Sequence, residues 1–266
     1  MTEEILKKIK QLPPLPESAM QIEAVYQDPD STFNDMVKIL DKDPLLTADI
    51  LKAANSPLYG FSREINAIAQ AVGLFGMGTV RGFALASIVK KSFSLDLTVY
   101  GISNDMFSNL SKKQHGLMTS WCLRKENRLL GVLSPAAFLV EIGKVLIAQQ
   151  IMADGKQEAF RDALAELGDV EAAERKIVGT DTPEVSATIF AHWKFEEKLV
   201  DVIRNCQNPA KAAEQDVRPA QILNVVRVAV PINGQVTDAS IAAAKELITQ
   251  YGLDMESFDT ALENAR

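Results

Sequence analysis

The chain contains few side chains that could bind a transition metal or attack a substrate. Its 266 residues include two histidines, His115 and His192, and two cysteines, Cys122 and Cys206. Zinc and similar ions are held mainly by imidazole and thiolate ligands. This composition excludes a multi-histidine metal centre, and the cysteines lack the CxxC spacing of a structural zinc site. A magnesium site made only of carboxylates is chemically conceivable, but no clustered acidic motif indicates one.

Each histidine has a structural interpretation that we weigh against a functional one. His115 follows Lys112 and Lys113, and it is either a surviving metal ligand or a partly exposed helix residue; the second interpretation is favoured because other ligands are lacking. His192 is either a catalyst or a residue near a helix C-terminus, where the helix dipole favours a positive charge; the second interpretation is favoured. Trp193, next to it, is expected to pack in the core. Neither cysteine has a base near it in the sequence, which favours buried, unreactive thiols over a nucleophile or a redox pair.

Composition and charge exclude several classes of protein. The formal net charge is −7, with 47% hydrophobic and 24% charged residues, values typical of a globular chain. The negative charge argues against a general attraction to nucleic acid or anionic lipid. The first 18 residues lack the apolar core of a signal peptide, and no run of 18 or more apolar residues occurs. We therefore expect a cytoplasmic protein that binds neither nucleic acid nor a membrane.

Apolar residues recur mostly with a helical period, and β-branched runs with period two are scarce, which predicts an all-α, multi-helix bundle. Prolines and capping residues divide the pattern into helices. Thr32 and Asp35 have the spacing of a capping box, and Asp43 followed by Pro44 predicts an N-cap with proline at the first helical position. The predicted helices cover residues 3–11, 17–27, 32–40, 44–55, 65–75, 78–91, 106–131, 134–147, 156–167, 169–178, 182–193, 195–206, 217–229, 237–251 and 254–264.

The organisation predicted from this pattern has two helical parts. Residues 1–91 form an N-terminal part, residues 92–106 a loop or linker, and residues 107–266 a C-terminal bundle. The helix over 134–147 is apolar on most sides, so we expect it to be the central buried helix. Glu141 on this helix would be costly if buried without a partner. It is either paired with Lys144 or another cation, which is favoured, or it is a carboxylate retained to bind an effector.

Several motifs in the first third of the chain occur in a characteristic order. They are Leu12-Pro13-Pro14-Leu15-Pro16, Asp43-Pro44-Leu45-Leu46-Thr47, Leu51-Lys52-Ala53-Ala54-Asn55-Ser56, Tyr59-Gly60, and the run from Ile65 to Gly76. Together they resemble the HDOD family over residues 11–90, with departures at Ala67 and Phe75, and a weaker likeness continues to about residue 209. We interpret Asp43, Pro44, Asn55, Ser56 and Tyr59 as residues that specify the fold rather than bind a ligand.

HDOD domains look like relatives of the HD-type metal-dependent phosphohydrolases. Those enzymes hold a divalent ion with a histidine on one helix, an adjacent His-Asp pair on a central helix and a further aspartate, and the ion activates a water. Here Val140 and Glu141 stand at the His-Asp pair, Thr182 stands at a family histidine, and Cys206-Gln207 stand at a His-His pair. His115 lies near the position of the first histidine. The resemblance therefore implies a degenerate HD-like site with no metal, no cofactor and no catalytic residue.

Three functions follow from this resemblance. The favoured one is a non-catalytic regulatory or scaffold module of bacterial signal transduction that binds a partner protein. The second is a sensor that binds a nucleotide or small anion as effector in the former metal pocket, with positive charge from Lys112, Lys113 and His115. The third, a phosphohydrolase with residual activity, is disfavoured by the loss of the His-Asp pair.

Overall fold

The computed structural model describes residues 1–59, 61, 63–123 and 125–265, with side chains up to residue 263. These residues form α-helices joined by turns and short 3₁₀ segments, and no strand occurs among them, so the all-α prediction is confirmed. The helices are α1 (Glu3–Lys10), α2 (Glu17–Gln27), α3 (Phe33–Leu40), α4 (Pro44–Ala54), α5 (Ile68–Lys91), α6 (Asn104–Cys122), α7 (Leu130–Leu139), α8 (Gly143–Ala153), α9 (Gln157–Leu167), α10 (Val170–Val178), α11 (Thr182–His192), α12 (Glu197–Asn205), α13 (Val217–Ala229), α14 (Asp238–Tyr251) and α15 (Met255–Ala265).

Side-chain caps set the ends of the early helices as predicted. The Asp35 carboxylate accepts hydrogen bonds from the backbone amide and the hydroxyl of Thr32, which opens α3. The Asp43 carboxylate accepts the Leu46 amide at 3.0 Å, with proline at the first position of α4. These bonds satisfy amides that have no partner within the helix.

The family motif after α4 is held by one asparagine. Asn55 Nδ2 donates to the carbonyl oxygens of Leu51 and Ile65, and Asn55 Oδ1 accepts the Ile65 amide, all within 2.9 Å. The Asn55 side chain thus supplies hydrogen-bond partners to backbone groups at both ends of the connection between α4 and α5. This agrees with a fold-specifying role. Gly60, part of the same motif, lies outside the described residues.

The N-terminal and C-terminal parts share one hydrophobic core. Helix α5 packs against α2, α3 and α4 and also against α7, and its backbone leaves helical geometry at Gly76 (φ 79°). Segment 92–106 is packed rather than free: it contains a 3₁₀ turn, Thr98–Tyr100, with Tyr100 buried. The apolar cluster is continuous across this segment, so the predicted boundary does not separate two cores.

Two of the predicted helices are interrupted. The helix expected over 106–131 ends at Cys122, before Arg124, which lies outside the described residues; a 3₁₀ turn at Asn127–Leu129 then leads into α7. The central helix expected over 134–147 is split by a turn at residues 140–142 into α7 and α8. In that turn, Ser186 of α11 donates its hydroxyl to the Val140 carbonyl (2.6 Å) and accepts the Gly143 amide (2.8 Å). These hydrogen bonds replace helical hydrogen bonds that the backbone loses at the turn.

Two stretches, Ile68–Lys91 and Asn127–Ala153, are long and apolar enough to cross a membrane by length and composition. In each, most of the apolar window is buried inside the fold, 61% and 89% respectively. Core helices of a globular protein meet the same criterion, so these stretches are weak evidence for a membrane span.

Candidate functional site

A cluster of five charged side chains lies buried where the resemblance places the former metal site. We call Glu141, Lys144, Glu171, Glu174 and Arg227 the ion cluster. Glu141 comes from the turn between α7 and α8, Lys144 from α8, the other two glutamates from α10 and Arg227 from α13. The side-chain exposure of these residues ranges from 0% to 12%. Charges at such depth must be paired to be tolerated.

The two cations of the ion cluster form ion pairs with its three carboxylates. Lys144 Nζ lies 3.2 Å from Glu141 Oε2, 3.3 Å from Glu174 Oε1 and 3.6 Å from Glu171 Oε1. Arg227 Nε donates to Glu141 Oε1 at 2.8 Å, and its Nη2 donates to Glu171. The ion pair expected between Glu141 and Lys144 is therefore present, and Arg227 is a second partner that the sequence analysis did not identify.

The electrostatics of the ion cluster follow from this geometry. Burial alone would raise the pKa of Glu141, but the Arg227 guanidinium and the Lys144 ammonium hold that pKa well below its usual range. Burial alone would lower the pKa of Lys144, and the carboxylates of Glu174, Glu141 and Glu171 reverse that effect and raise it. Both side chains thus stay charged in the interior at neutral pH.

Hydroxyl groups complete the polar shell around Glu174. Thr182 donates its hydroxyl and its backbone amide to the two Glu174 oxygens, each at 2.6 Å. The Tyr100 hydroxyl donates to Glu174 Oε1 at 2.8 Å, and Lys144 Nζ donates to Thr182 Oγ1 at 2.9 Å. Burial raises the pKa of Glu174, so among the three cluster carboxylates it has the strongest tendency to take up a proton. The hydrogen-bond donors around it stabilise its charged form.

Four of the six predicted site positions lie at or beside this cluster, and the other two, Val140 and His115, do not. Glu141 and Thr182 are members or direct partners of it. Cys206 Sγ is buried and lies 3.7 Å from Arg227 Nη1, and Gln207 Oε1 accepts from Arg175 Nη1 at 3.2 Å beside it. Val140 does not contribute its side chain, which is fully buried in the apolar core.

The environment of His115 differs from the expectation. Its imidazole is 0% exposed rather than partly exposed, and it stacks on Phe138 with ring centroids 4.0 Å apart. Nδ1 lies 2.5 Å from the Tyr59 hydroxyl and Nε2 lies 2.8 Å from Ser134 Oγ. Burial lowers the pKa of His115 to about 3, so the ring is neutral and belongs to the core.

The positive charge near the former metal pocket does not come from the residues that the sensor hypothesis assumed. Gln114, not His115, is the α6 side chain that contacts the ion cluster, since its Nε2 lies 3.3 Å from Glu141 Oε1 and donates to the Val230 carbonyl at 3.0 Å. Lys113 donates to the Gly234 carbonyl at 2.9 Å, and Lys112 lines a different cavity. The positive charge near the former metal pocket comes instead from Lys144, Arg175 and Arg227.

The other residues singled out from the sequence have structural positions. Both cysteines are free and buried, and burial raises their pKa values, as expected for unreactive thiols. His192 is the last residue of α11. Trp193 is partly buried, donates its indole N–H to the Pro13 carbonyl and packs against Phe93 and Phe190.

These residues do not fit the metal ion that the HD-type relatives would hold. The Lys144 ammonium lies within 3.6 Å of all three carboxylates, so it occupies the place that a cation bound by them would need. Val140 offers no ligand atom on its side chain. Within the part of the chain that the structure describes, no three His, Cys, Asp or Glu side chains are grouped so that they could hold a metal.

The ion cluster borders a cavity of about 530 Å³. Besides the cluster, its walls include Arg175, whose side chain is 50% exposed, and apolar residues such as Leu247 and Ile232. The cavity has the size of a small-ligand site. It presents both signs of charge, because Asp169 and two cluster glutamates also line it.

Five residues of the site were not predicted from the sequence: Tyr100, Gln114, Glu171, Glu174 and Arg227. The i, i+3 spacing of the two glutamates on α10 places both on one helix face, and an arginine within the apolar run of α13 was a second signal. Nothing local marked Tyr100, because its partner Glu174 lies 74 residues away.

Comparisons with known proteins agree with this architecture. The "Putative phosphohydrolase" of Shewanella amazonensis SB2B superimposes with a TM-score of 0.74 at 24% identity, covering 99% of this chain and 94% of that one. A "Putative signal transduction protein" of Marinobacter aquaeolei VT8 superimposes with a TM-score of 0.70 at 20% identity, covering 100% of this chain and 60% of that one. At these identities the likeness shows the fold alone.

A relative in sequence is a Treponema pallidum (strain Nichols) protein described as uncharacterized. It is 30% identical over 73 residues, which are 27% of this chain and 14% of that protein. The match thus spans a small part of a much longer chain. The HDOD domain model matches residues 12–209, and these include the capped helices, the Asn55 connection and most of the ion cluster; the chain belongs to the HDOD domain family.

Proposed function

We propose that this chain is a non-catalytic regulatory or scaffold module of signal transduction that acts in the cytoplasm by binding a partner protein. The observation that carries the proposal is the position of Lys144, whose ammonium satisfies the buried carboxylates that would otherwise be free to bind a metal. A phosphohydrolase of this fold needs the ion to activate its water. Without a place for that ion, binding is the function that this fold supports best.

Exposed apolar side chains of the N-terminal part are the candidate contacts for a partner. The largest exposures among the described large hydrophobic residues include Leu45 at 74% and Met20 at 54%. Phe61 and Leu74 of the same part are also exposed. A partner that covers these side chains would remove their apolar surface from water, which favours association.

The experiment combines metal analysis with partner capture. Protein purified without chelators is assayed for bound metal and for hydrolysis of a generic phosphodiester, and both are expected to be absent. Cross-linked complexes are then compared between the wild type and Leu45→Glu, with Leu167→Glu as a matched control because Leu167 is 42% exposed on α9. Loss of a complex with Leu45→Glu alone supports the proposal, whereas stoichiometric metal with turnover contradicts it.

The cavity beside the ion cluster favours a second candidate, a sensor of a nucleotide or small anion. The half-exposed guanidinium of Arg175 lines this cavity together with the cluster cations. A ligand that binds the native state raises the unfolding temperature. This increase with a nucleotide is expected to disappear in Arg175→Gln and to persist in Arg204→Gln, which removes a comparable surface ion pair with Glu184. Absence of any nucleotide-induced increase in the wild type excludes this candidate.

A further inference from the structure

A second cavity, of about 420 Å³, lies on a different side of the turn that carries Glu141. Its walls come from α4, α5, α6 and the end of α7. Leu139 and Ile142 line it, whereas Glu141 between them lines the cavity of the ion cluster. We call this second cavity the lysine groove. It is separate from the cavity beside the ion cluster.

The floor of the lysine groove is aromatic and aliphatic. Phe83, Phe107 and Phe138 line it together with Ile142. Phe83 and Phe107 are only 2% and 5% exposed, so a flat surface could not reach them. A group that enters the groove from solvent would contact these rings and lose its own contact with water, which is favourable for apolar groups.

The rim of the lysine groove is strongly basic in a protein whose net charge is −7. Lys52, Lys90, Lys91 and Lys112 line it, against the single carboxylate of Asp49. Asp49 pairs with Lys91 at 2.7 Å. Among the described residues, the other three lysines have no carboxylate within ion-pair distance.

The unpaired lysines also affect one another. Burial, with the charge of nearby Lys112 as the next contribution, lowers the pKa of Lys90. The Lys90 ammonium donates to the Ser108 hydroxyl, a neutral partner. An anion placed between these ammonium groups would relieve their repulsion and form charge-assisted hydrogen bonds.

We propose that the lysine groove binds a small soluble amphiphilic anion, with its apolar chain or ring on the phenylalanine floor and its carboxylate or phosphate group among the lysines. The volume lies in the range of small-ligand pockets, which combine an apolar lining with a few orienting polar groups. Lysine suits this role because its ammonium is a mobile point charge that accepts either anionic group. This ligand site is independent of the proposed function, so the outcome of the ligand-binding test and the outcome of the partner-binding test do not decide each other.

Calorimetric titration with dodecyl phosphate below its micelle concentration tests the proposal. We expect one molecule bound per chain, and about tenfold weaker binding in the double variant Lys52→Gln/Lys112→Gln. The double variant Lys10→Gln/Lys211→Gln removes two exposed lysines elsewhere and should bind as the wild type does. Ala86→Phe, which fills the groove without changing charge, should abolish binding while thermal unfolding shows that the protein is folded.

Further probes separate the parts of the ligand. Inorganic phosphate carries the charge without the chain, and dodecyltrimethylammonium carries the chain with the opposite charge; each is expected to bind much more weakly than dodecyl phosphate. Equal affinity for either probe, or unchanged affinity in the Lys52→Gln/Lys112→Gln variant, contradicts the proposal. Flotation with phosphatidylglycerol vesicles distinguishes a bilayer from a soluble ligand, and vesicle binding without binding of soluble dodecyl phosphate also contradicts it.

Discussion

The Lys144 ammonium lies 3.2 Å from a carboxylate oxygen of Glu141, three residues before it, and the two side chains are 1% and 4% exposed. The pair spans the turn that divides the central helix. Because Lys144 also contacts Glu171 and Glu174, one ammonium forms ion pairs with carboxylates from two elements. A buried ion pair contributes little compared with apolar packing, but removal of one partner leaves an uncompensated charge.

Replacement of Lys144 by methionine tests this dependence. Lys144→Met retains the length of the side chain but leaves three buried carboxylates with Arg227 as their remaining cation. We expect the free energy of unfolding in urea at neutral pH to fall by about 3–5 kcal/mol. Lys198→Met, at an exposed position of α12, should change it by less than about 0.5 kcal/mol. Equal losses in the two variants would show that the ion cluster is solvated.

Two glycines predict opposite effects of an added methyl group. A Cβ at Gly143 would lie 2.5 Å from the Thr182 carbonyl oxygen and 2.8 Å from Ser186 N, so α8 and α11 must separate. Gly143→Ala is expected to cost about 1–3 kcal/mol of unfolding free energy. Gly73 has nothing within 4 Å of an added Cβ, and Gly73→Ala in α5 should stabilise by about 0.5–1 kcal/mol. Thermal unfolding of both variants checks the signs, and a neutral Gly143→Ala would contradict the close contact.

A helix end was predictable from the sequence wherever the residues that determine it lie within a few positions of each other. The Thr32–Asp35 capping box and the Asp43 cap lie three residues from their partners, so the starts of α3 and α4 could be read from the sequence. The turn at 140–142 could not, because Ser186, which bonds to its freed backbone groups, lies more than forty residues later. Hydrophobic periodicity continues through this turn and gives no signal of it.

In the candidate site as well, contacts between residues close in sequence could be predicted and contacts between distant residues could not. Glu141 and Lys144 are three residues apart and could be paired by inspection. Arg227 is 86 residues from Glu141, and His115 is 56 residues from Tyr59. Burial of His115 depends on these distant partners, whereas Lys112 and Lys113, just before it in the sequence, indicated an exposed position.

Arg81 connects helices from both parts of the chain. Its guanidinium binds both Glu23 oxygens of α2, at 2.6 and 2.8 Å, and Glu196 at the start of α12, at 2.7 Å. It also lies over the Tyr26 ring. Arg81→Lys retains the charge but cannot form these bonds together, so we expect a loss of about 2–3 kcal/mol in unfolding free energy.

The control for this variant is a more exposed arginine. Arg218 pairs with Glu126 and its side chain is 43% exposed, so Arg218→Lys should cost less than about 1 kcal/mol. Urea unfolding at constant pH and salt compares the two variants. If Arg81→Lys were as mild as Arg218→Lys, the buried guanidinium would not tie α2 to α12.

Because the imidazole of His115 is buried, we expect the free energy of unfolding to fall in mild acid. Burial lowers its pKa to about 3 in the folded protein, while an unfolded histidine has a pKa of about 6.5. Between these values the unfolded chain binds a proton that the folded protein does not. The stabilisation is therefore complete above about pH 6.5 and is lost as pH falls, by up to about 1.4 kcal/mol per pH unit.

Urea unfolding between about pH 5 and pH 8 isolates this contribution when variants are compared. His115→Gln cannot titrate in this range, so its unfolding free energy should depend less on pH than that of the wild type, whatever its absolute stability. His192→Gln removes the other histidine, at the end of α11, and is the matched control for a histidine-to-glutamine replacement. Glu174, whose raised pKa acts in the opposite direction, is present in all three proteins and cancels in the difference. A slope that persists in His115→Gln would show that another group takes up the proton.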